Sequence, residues 1–390
     1  MIILKLFVSL ILIEIIIYFL FRFLKKDFKW LVDKKDAIPN FNKNQINKYN
    51  KEVFDKDLGW DNKKRNKIEK NIFNRKIEYN FDKQGSRITG NKFKYSNISI
   101  FGDSYSMSRY SNDNESIQYF AEKKLKKKIL NYGVGNYGLD QVFLKIKKKI
   151  NKEKIVFIIF VPETILRIES YWKHFLEFGN TFGFKPKFIF RNGKLILQKK
   201  HLKKLKLSNI ENVINYLKKK DFFFQNKYKK YCFSFPFSIS FIKNLNDNFL
   251  IFQYLILYKF SKDVKFYNSA VNVIILRNIK ESQKYYNDSK FQELLKNLIL
   301  EINKFLLKKK IKPYFIVIPQ YLDLKLYGKS SYSSSFFKKL LNIKELNLYD
   351  LTEDLIKVKH IEKLYIKDNY GGHLNKTGNK FIANKIINKL

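Results

Sequence analysis

The sequence has one cysteine and four histidines, and only 35 acidic residues against 78 lysines and arginines. The single Cys232 excludes an internal disulfide and any metal site built from several cysteines. No zinc-finger, RNP or P-loop spacing is present, and the lysines are spread along the whole chain, so the formal net charge of +43 does not predict nucleic-acid binding. With 390 residues, 45% of them hydrophobic, the chain has room for one large domain, or for one domain with an insertion and an anchor.

The N-terminal stretch MIILKLFVSLILIEIIIYFLFRFL is apolar from Ile2 to Leu24 apart from Lys5, Glu14 and Arg22. About 20 such residues cross a bilayer, and no small-residue cleavage site of a signal peptide is evident. Residues 1–24 are therefore predicted to form a single-pass transmembrane anchor. A buried core helix is the alternative, because Glu14 is costly in the middle of a membrane. Basic residues after the stretch favour a cytoplasmic C-terminal side, but the whole chain is rich in lysine and the side of the membrane stays open.

After a polar lead-in over residues 25–92, strands and helices alternate. YSNISIF, KILNYG and KIVFIIFVP are predicted strands, with helices between them at SIQYFAEKKLKKK and LDQVFLKIKKKI. At about residues 165–285 the alternation stops; NG between two apolar runs predicts a hairpin there, and the rest is predicted to be largely helical. After residue 285 the alternation of strands and helices resumes with a helix, the strand KPYFIVIPQ, the short strand LNLYDLT and a last helix. This order predicts an α/β domain over residues 93–390, with a mostly parallel sheet and an insertion between its third and fourth strands.

Three segments with candidate chemistry follow the strands of this sheet. Ser104 follows the first strand, Gly133–Gly138 follows the second, and His373 lies in a loop after the last. Ligands of such sheets bind outside the carboxyl ends of the strands, so we expect these segments to converge at one edge. A serine nucleophile needs a base within hydrogen-bond reach and donors for the oxyanion.

The base can be sought among the four histidines. His201 and His360 lie among lysines and are predicted to be solvated on the surface, and His174 lies beside aromatic residues. His373 follows two glycines and precedes a helix, a loop position that can bring an imidazole into a site. We therefore expect His373 to be the base.

Three blocks of the sequence resemble the GDSL, or SGNH, hydrolase superfamily. FGDSYS is similar to its first block, NYGVGNYGLDQ to its second, and DNYGGHLNKTGNKFIA to its last. The resemblance covers roughly residues 93–162 and 286–390. It implies a three-layer α/β/α, flavodoxin-like fold. A narrower similarity, of VPETILRIESYWKHFLEFGNTFGFKPKF, is to bacterial SGNH-like proteins found with surface-polysaccharide genes.

The resemblance implies roles for particular residues. Ser104 would be the nucleophile and His373 the base, and the oxyanion would be bound by the Ser104 N–H and by the turn containing Gly135 and Asn136. Asparagine tolerates the left-handed conformation that this turn requires. The family's acid commonly stands three residues before the histidine; here the nearest carboxylate is Asp368, five residues before it.

The third family block, Gly-x-Asn-Asp, is absent, because the sequence after the third strand is FVPETI. Its asparagine would have donated to the oxyanion, and an ionised Glu163 cannot. Arg167, Asn180 or His174 would have to replace it. Loss of one such donor costs on the order of 100- to 1,000-fold in rate.

The implied function is that of a membrane-anchored serine esterase that acts through an acyl-serine on an ester-bearing carbohydrate, such as an acetylated surface glycan, or on another small ester. The resemblance implies no metal and no organic cofactor. Two alternatives stay open: an O-acyltransferase with the same Ser-His pair, and a catalytically weakened glycan-binding or assembly protein. The insertion, with its many aromatic residues, would shape the substrate groove.

Overall fold

The computed structural model describes residues 1–63, 65–70, 75–327, 332–366 and 371–390. The chain divides into two compact units. Unit 1 comprises Met1–Lys48, Ser170–Phe184 and Leu205–Arg277. Unit 2 comprises Tyr49–Glu169, Lys185–Lys204 and Asn278–Leu390. The predicted insertion at about residues 165–285 is therefore shared between the two units.

The strands and helices have the following bounds. The strands are β1 (Phe54–Asp55), β2 (Gly59–Trp60), β3 (Arg65–Lys70), β4 (Lys76–Phe81), β5 (Tyr95–Gly102), β6 (Lys128–Asn131), β7 (Ile155–Phe160), β8 (Lys187–Arg191), β9 (Lys194–Gln198), β10 (Lys312–Val317) and β11 (Leu348–Asp350). The helices are α1 (Ile2–Lys25), α2 (Lys43–Glu52), α3 (Ile117–Leu125), α4 (Leu139–Lys149), α5 (Thr164–Arg167), α6 (Lys173–Leu176), α7 (Leu207–Lys220), α8 (Lys229–Tyr231), α9 (Phe237–Ile242), α10 (Leu245–Ser261), α11 (Val264–Tyr285), α12 (Ser289–Lys308), α13 (Tyr321–Leu326), α14 (Tyr332–Leu341), α15 (Thr352–Ile356) and α16 (Lys376–Ile387).

Unit 2 is built on a five-stranded sheet in the order β11-β10-β7-β5-β6. Every pair in it is parallel; Gly102 at the end of β5 is level with Ile159 of β7, and Val317 at the end of β10 is level with Phe160. The central strand β7 has the sequence IVFIIF and is buried along all but its first residue. A strand with helices on both faces has no polar side, which is why its apolar run is unbroken.

Helices cover both faces of this sheet. On one face α3 and α16 pack against each other, and their Ile117 and Ile382 share a buried cluster with Ile100, Ile159 and Ile316 of the strands. On the other face α4 contacts β5, and α12 contacts both α4 and β10. Burial of each such aliphatic side chain contributes roughly 1.5–3 kcal/mol relative to exposure. The predicted three-layer α/β/α fold with a parallel sheet is confirmed.

Besides the short antiparallel pair of β1 and β2, two longer antiparallel hairpins accompany the sheet in the described part of unit 2. The predicted turn at Asn192-Gly193 is confirmed between β8 and β9, with φ of 51° and 70° at the two residues, as a tight hairpin requires. The other hairpin pairs β3 with β4. It lies in the lead-in over residues 25–92, which also forms α2, β1 and β2.

Unit 1 is largely helical and begins with α1. This helix is long and apolar enough to cross a membrane, and its first two turns expose Ile3 and Leu6 to 83% and 60%. Near its other end, Phe21 and Leu24 are completely buried within unit 1. The helix contacts α9 and α10, which come from the predicted insertion. The N-terminal prediction is thus confirmed as a helix of membrane-spanning length.

Candidate active site

Ser104 lies just beyond the end of β5, where the chain leaves the sheet through Gly102. Gly102 has a φ of 148°, and a side chain there would overlap the carbonyl oxygen of Ile159 on the neighbouring strand. Glycine is therefore the residue that lets β5 run this close to β7 and still turn. The Asp103 N–H bonds to the Ile159 carbonyl at 3.4 Å, which ties the turn to the sheet. Ser104 is buried, with 4% of its surface exposed.

His373 reaches Ser104 from the far end of the chain. Its Nε2 lies 2.9 Å from Ser104 Oγ, although the two residues are 269 positions apart. The His373 carbonyl accepts the Ile366 N–H at 2.7 Å, and Asn375 two residues later caps α16 by accepting the Gly378 N–H. The imidazole is as buried as the serine. The expected convergence of these two side chains at the carboxyl edge of the sheet is observed.

Two tyrosines that follow Ser104 hold the imidazole of His373. The Tyr105 ring stacks on it with a centroid distance of 4.9 Å, and Tyr110 meets it edge-on at 5.5 Å. The Tyr105 hydroxyl also donates to the Gly372 carbonyl at 2.7 Å. Sequence reasoning missed both tyrosines; the available signal was their place in GDSYSMSRY, directly after the serine.

Asp103, next to Ser104, is fully buried and paired with Arg167. Arg167 Nη1 donates to Asp103 Oδ2 at 3.1 Å, and its Nη2 donates to Glu163 Oε2 at 2.6 Å. The N–H groups of Tyr105 and Val161 donate to the same Asp103 carboxylate. Burial raises the pKa of Asp103, and the Arg167 guanidinium is the main influence that opposes this rise.

Arg167 was one of the predicted oxyanion donors. The contacts described for its two Nη atoms are with Asp103, Glu163 and the Tyr137 carbonyl. They bind the guanidinium to carboxylates beside the serine, so its observed position is that of a counter-ion to Asp103. An oxyanion role for Arg167 stays a prediction.

The glycine turn of the second block has the predicted backbone conformation. Asn136 has a φ of 66°, which confirms that asparagine takes the left-handed position. The Gly135 carbonyl accepts from Trp60 Nε1 at 3.2 Å, and the Gly133 N–H bonds to the Asn131 side chain at 2.9 Å. These bonds fix the turn from both sides at the end of β6.

The other residues that the sequence analysis named lie elsewhere in the chain. His174 and Asn180 lie in unit 1, where His174 Nε2 contacts the Asp36 carbonyl and Asn180 Nδ2 donates to Glu177. Their predicted oxyanion roles remain untested. Asp368 lies outside the described residues. His360 is exposed as predicted.

The prediction that His201 is solvated is wrong. It is 7% exposed, and its Nε2 contacts the Lys185 carbonyl in unit 2 at 2.8 Å. The flanking lysines indicated a surface segment, but His201 and Leu202 are both buried. Burial lowers the pKa of His201 to about 4.

No protein-family model matches the sequence, and no curated protein matches it. Solved structures do match. One, from Desulfitobacterium hafniense DCB-2, has 10% identity and a TM-score of 0.34, over 75% of this chain and 98% of its own. Another, from Veillonella parvula DSM 2008, has 9% identity and a TM-score of 0.35, over 75% of this chain and 96% of its own.

Both are described as lipolytic proteins of the G-D-S-L family.

Proposed function

We propose that this protein is a serine esterase of the SGNH type. The observation that carries the proposal is the 2.9 Å contact between Ser104 Oγ and His373 Nε2, buried at the carboxyl edge of a parallel sheet. A serine within hydrogen-bond reach of an imidazole is the arrangement that activates an alcohol nucleophile. The order of the three sequence blocks and the left-handed backbone at Asn136 also support a serine esterase of this type.

The proposed reaction has two stages. His373 Nε2 takes the proton of Ser104 as Oγ attacks the ester carbonyl, and the imidazolium then gives that proton to the departing alcohol. Water next gives a proton to His373 and attacks the acyl-serine; the acid is released and the proton returns to Ser104. The Ser104 N–H and the turn at Gly135 and Asn136 are the proposed oxyanion donors. Asp368 is the proposed partner that orients His373.

The proposed substrate is an acetyl or other acyl ester on a carbohydrate, such as a surface glycan. Support comes from the similarity of the VPETILRIESYWKHFLEFGNTFGFKPKF segment to SGNH-like proteins of polysaccharide gene clusters.

The nucleophile is tested with a fluorophosphonate probe and with hydrolysis of p-nitrophenyl acetate by the full-length protein. We expect wild type to be labelled, and Ser104→Ala and His373→Ala to lose esterase activity by about 10⁴-fold or more. Ser269→Ala, a serine change on α11, is the matched control and keeps both signals. Equal labelling of wild type and Ser104→Ala rules out Ser104 as the nucleophile.

A second candidate is a site that binds a glycan or transfers acyl groups without efficient hydrolysis. The observation that favours it is the missing third block, whose asparagine would have donated to the oxyanion. Arg167, one of the predicted substitutes, is paired with Asp103 and Glu163. Supplying an acyl donor together with a glycan acceptor separates the possibilities. Free acid as the product indicates an esterase, an acylated glycan indicates a transferase, and retained glycan binding without either product indicates a binding protein.

We also propose that α1 stays on the mature protein as a membrane anchor. Phe21 and Leu24 are part of the core of unit 1, and Arg22 and Lys25 both pair with Asp33, at 2.9 and 2.8 Å. A cleaved signal sequence would take these core residues and charge pairs with it.

A further inference from the structure

Besides the exposed apolar surface of α1, unit 1 carries an apolar surface on the segment that contains α9 and α10. Its exposed members are Phe235, Ile239, Ile242, Leu245, Phe249 and Phe260, each at least 49% exposed. Apolar side chains that are scattered singly on a surface are ordinary, whereas a contiguous set on adjacent helices marks an interaction site. In α9 the exposed Ile239 and Ile242 are three residues apart, so they point to the same side.

This surface continues the apolar surface of α1. The Glu14 carboxylate, near the middle of α1, accepts the N–H groups of Phe237 and Ser238 at 2.5 and 2.8 Å, and the Ser238 hydroxyl at 2.7 Å. Tyr18 meets the Phe237 ring edge-on at 5.1 Å. A carboxylate within a membrane-spanning helix is costly unless protein groups replace its water, and these three donors do so. The start of α9 therefore lies at the depth of Glu14.

An apolar groove lies between α1 and the two insertion helices. It has a volume of about 430 Å³ and is lined by Ile17, Leu20, Phe241, Phe249, Phe252 and Ile256. Gln253 of α10 is the one polar residue of this lining, and the rest of the walls is hydrocarbon on all three helices. An apolar groove beside a helix of membrane-spanning length suits the chemistry of lipid acyl chains.

The charged residues of α10 indicate how this helix is placed relative to α1. Lys259 pairs with Asp27, just after α1, and its ammonium lies 4.5 Å from the ring centre of Phe23, so the C-terminal end of α10 is level with the polar end of α1. The 17 residues of α10 extend about 26 Å, less than the hydrocarbon thickness. Asp247 at its start faces Arg277, with 3.9 Å between Oδ2 and Nη1. These features fit a helix that reaches from the head-group boundary into the acyl chains without crossing the bilayer.

We infer that α9 and α10 are embedded in the bilayer beside α1, with lipid acyl chains covering their exposed side chains and the groove. The inference rests on the proposed membrane anchor and extends it. The protein would hold the membrane through three helices of unit 1. Insertion residues that the sequence suggested as a glycan groove would instead contact lipid.

Site-specific fluorescence quenching tests the inference in the full-length protein. A Cys232→Ser background receives one cysteine at a time, at Leu12 on α1, at Ile242 or Phe249 in the surface, or at Leu207 on α7. Leu207 is the matched control, because it is an apolar residue of unit 1 with 52% exposure, close to the 63% and 58% of Ile242 and Phe249. Each bimane-labelled protein is placed in nanodiscs with or without lipids brominated along the acyl chain.

We expect the labels at Leu12, Ile242 and Phe249 to lose about half or more of their fluorescence in brominated lipid, and the label at Leu207 to keep it. Quenching at Leu12 alone overturns the embedding of α9 and α10 and leaves the anchor in place. Absence of quenching at all four positions overturns both. Fluorophosphonate labelling of Ser104 in the same samples reports on the esterase proposal separately.

Discussion

Tyr105 supports His373 in two ways: its ring stacks on the imidazole, and its hydroxyl donates to the carbonyl of the preceding residue, Gly372. We expect Tyr105→Leu, which removes both contacts, to lower kcat by about 10- to 100-fold with little change in KM, because a small displacement of the base from the serine is costly. Tyr105→Phe keeps the stacking and should retain most activity. The measurement is steady-state ester hydrolysis over a range of pH.

A purely structural role for Tyr105 would give a different pattern. The leucine variant would then lose thermal stability and folded protein, and kcat per active site, titrated with the fluorophosphonate, would match wild type. An unchanged kcat per titrated site in Tyr105→Leu would contradict a positioning role.

His174 makes stability depend on pH. Burial lowers its pKa to about 4, below the value of about 6.5 of an exposed histidine. Between these pH values the unfolded chain binds a proton at His174 that the folded chain does not bind. The free energy of unfolding is therefore unaffected by this group above pH 6.5 and decreases as the pH falls towards 4. The loss is about 3 kcal/mol for this one group.

We therefore expect the thermal midpoint of wild type to fall more steeply between pH 6.5 and 4 than that of His174→Gln. His360→Gln is the control, since its side chain is 55% exposed, and should follow wild type. Parallel curves for wild type and His174→Gln would contradict the assignment. The sequence could not have predicted this titration, because it depends on the packing of residues far apart in the chain.

At the scale of elements, the end of β5 depends on glycine. Gly102→Ala should be among the most harmful single changes, because the added carbon would overlap the Ile159 carbonyl and the φ of 148° is unfavourable for alanine. We expect a loss of stability above about 4 kcal/mol, or no folded protein. Gly90→Ala is the matched control; Gly90 has a φ of 82°, but nothing lies within 4 Å of the added carbon.

The control should cost about 1–2 kcal/mol, from backbone strain alone. Thermal unfolding in detergent and fluorophosphonate labelling measure both variants. If Gly102→Ala were as stable and as well labelled as Gly90→Ala, the close approach of β5 to β7 would not be what positions Ser104.

The elements differ in how well the sequence predicts them. β7 was predictable because an unbroken apolar run has few alternatives in a βα order, and the Asn192-Gly193 hairpin because its turn chemistry is local. Ser104, Asn136 and His373 were predicted from motif blocks. The Asp103–Arg167 pair and the burial of His201 were not predicted, since both depend on contacts between segments that no local pattern links.

At the scale of the whole molecule, net charge and the N-terminal helix predict different membrane behaviour. A charge of +43 alone would hold the protein on anionic lipid reversibly, and salt would release it because the attraction is screened. A largely apolar helix of 24 residues would not be released by salt. We expect the protein to stay with the membrane after a wash with 1 M salt, which shortens the screening length to about 3 Å, and also after a wash with alkaline carbonate.

The same preparation shows whether α1 is retained. Intact mass spectrometry of the membrane-extracted protein should give the full-length mass with the N-terminal residues present. A mature form that begins after Leu24 would contradict the anchor, and with it the packing of Phe21 and Leu24 in unit 1.

The separation of 269 positions between Ser104 and His373 also has a consequence for synthesis. The ribosome makes the anchor first, then β5 with the serine, then most of unit 1, and only afterwards β10, β11 and the histidine loop. Contacts of such high sequence separation form late, because a long loop must close before they contribute. A nascent chain therefore carries Ser104 without its His373 partner until the segment with the histidine has left the exit tunnel.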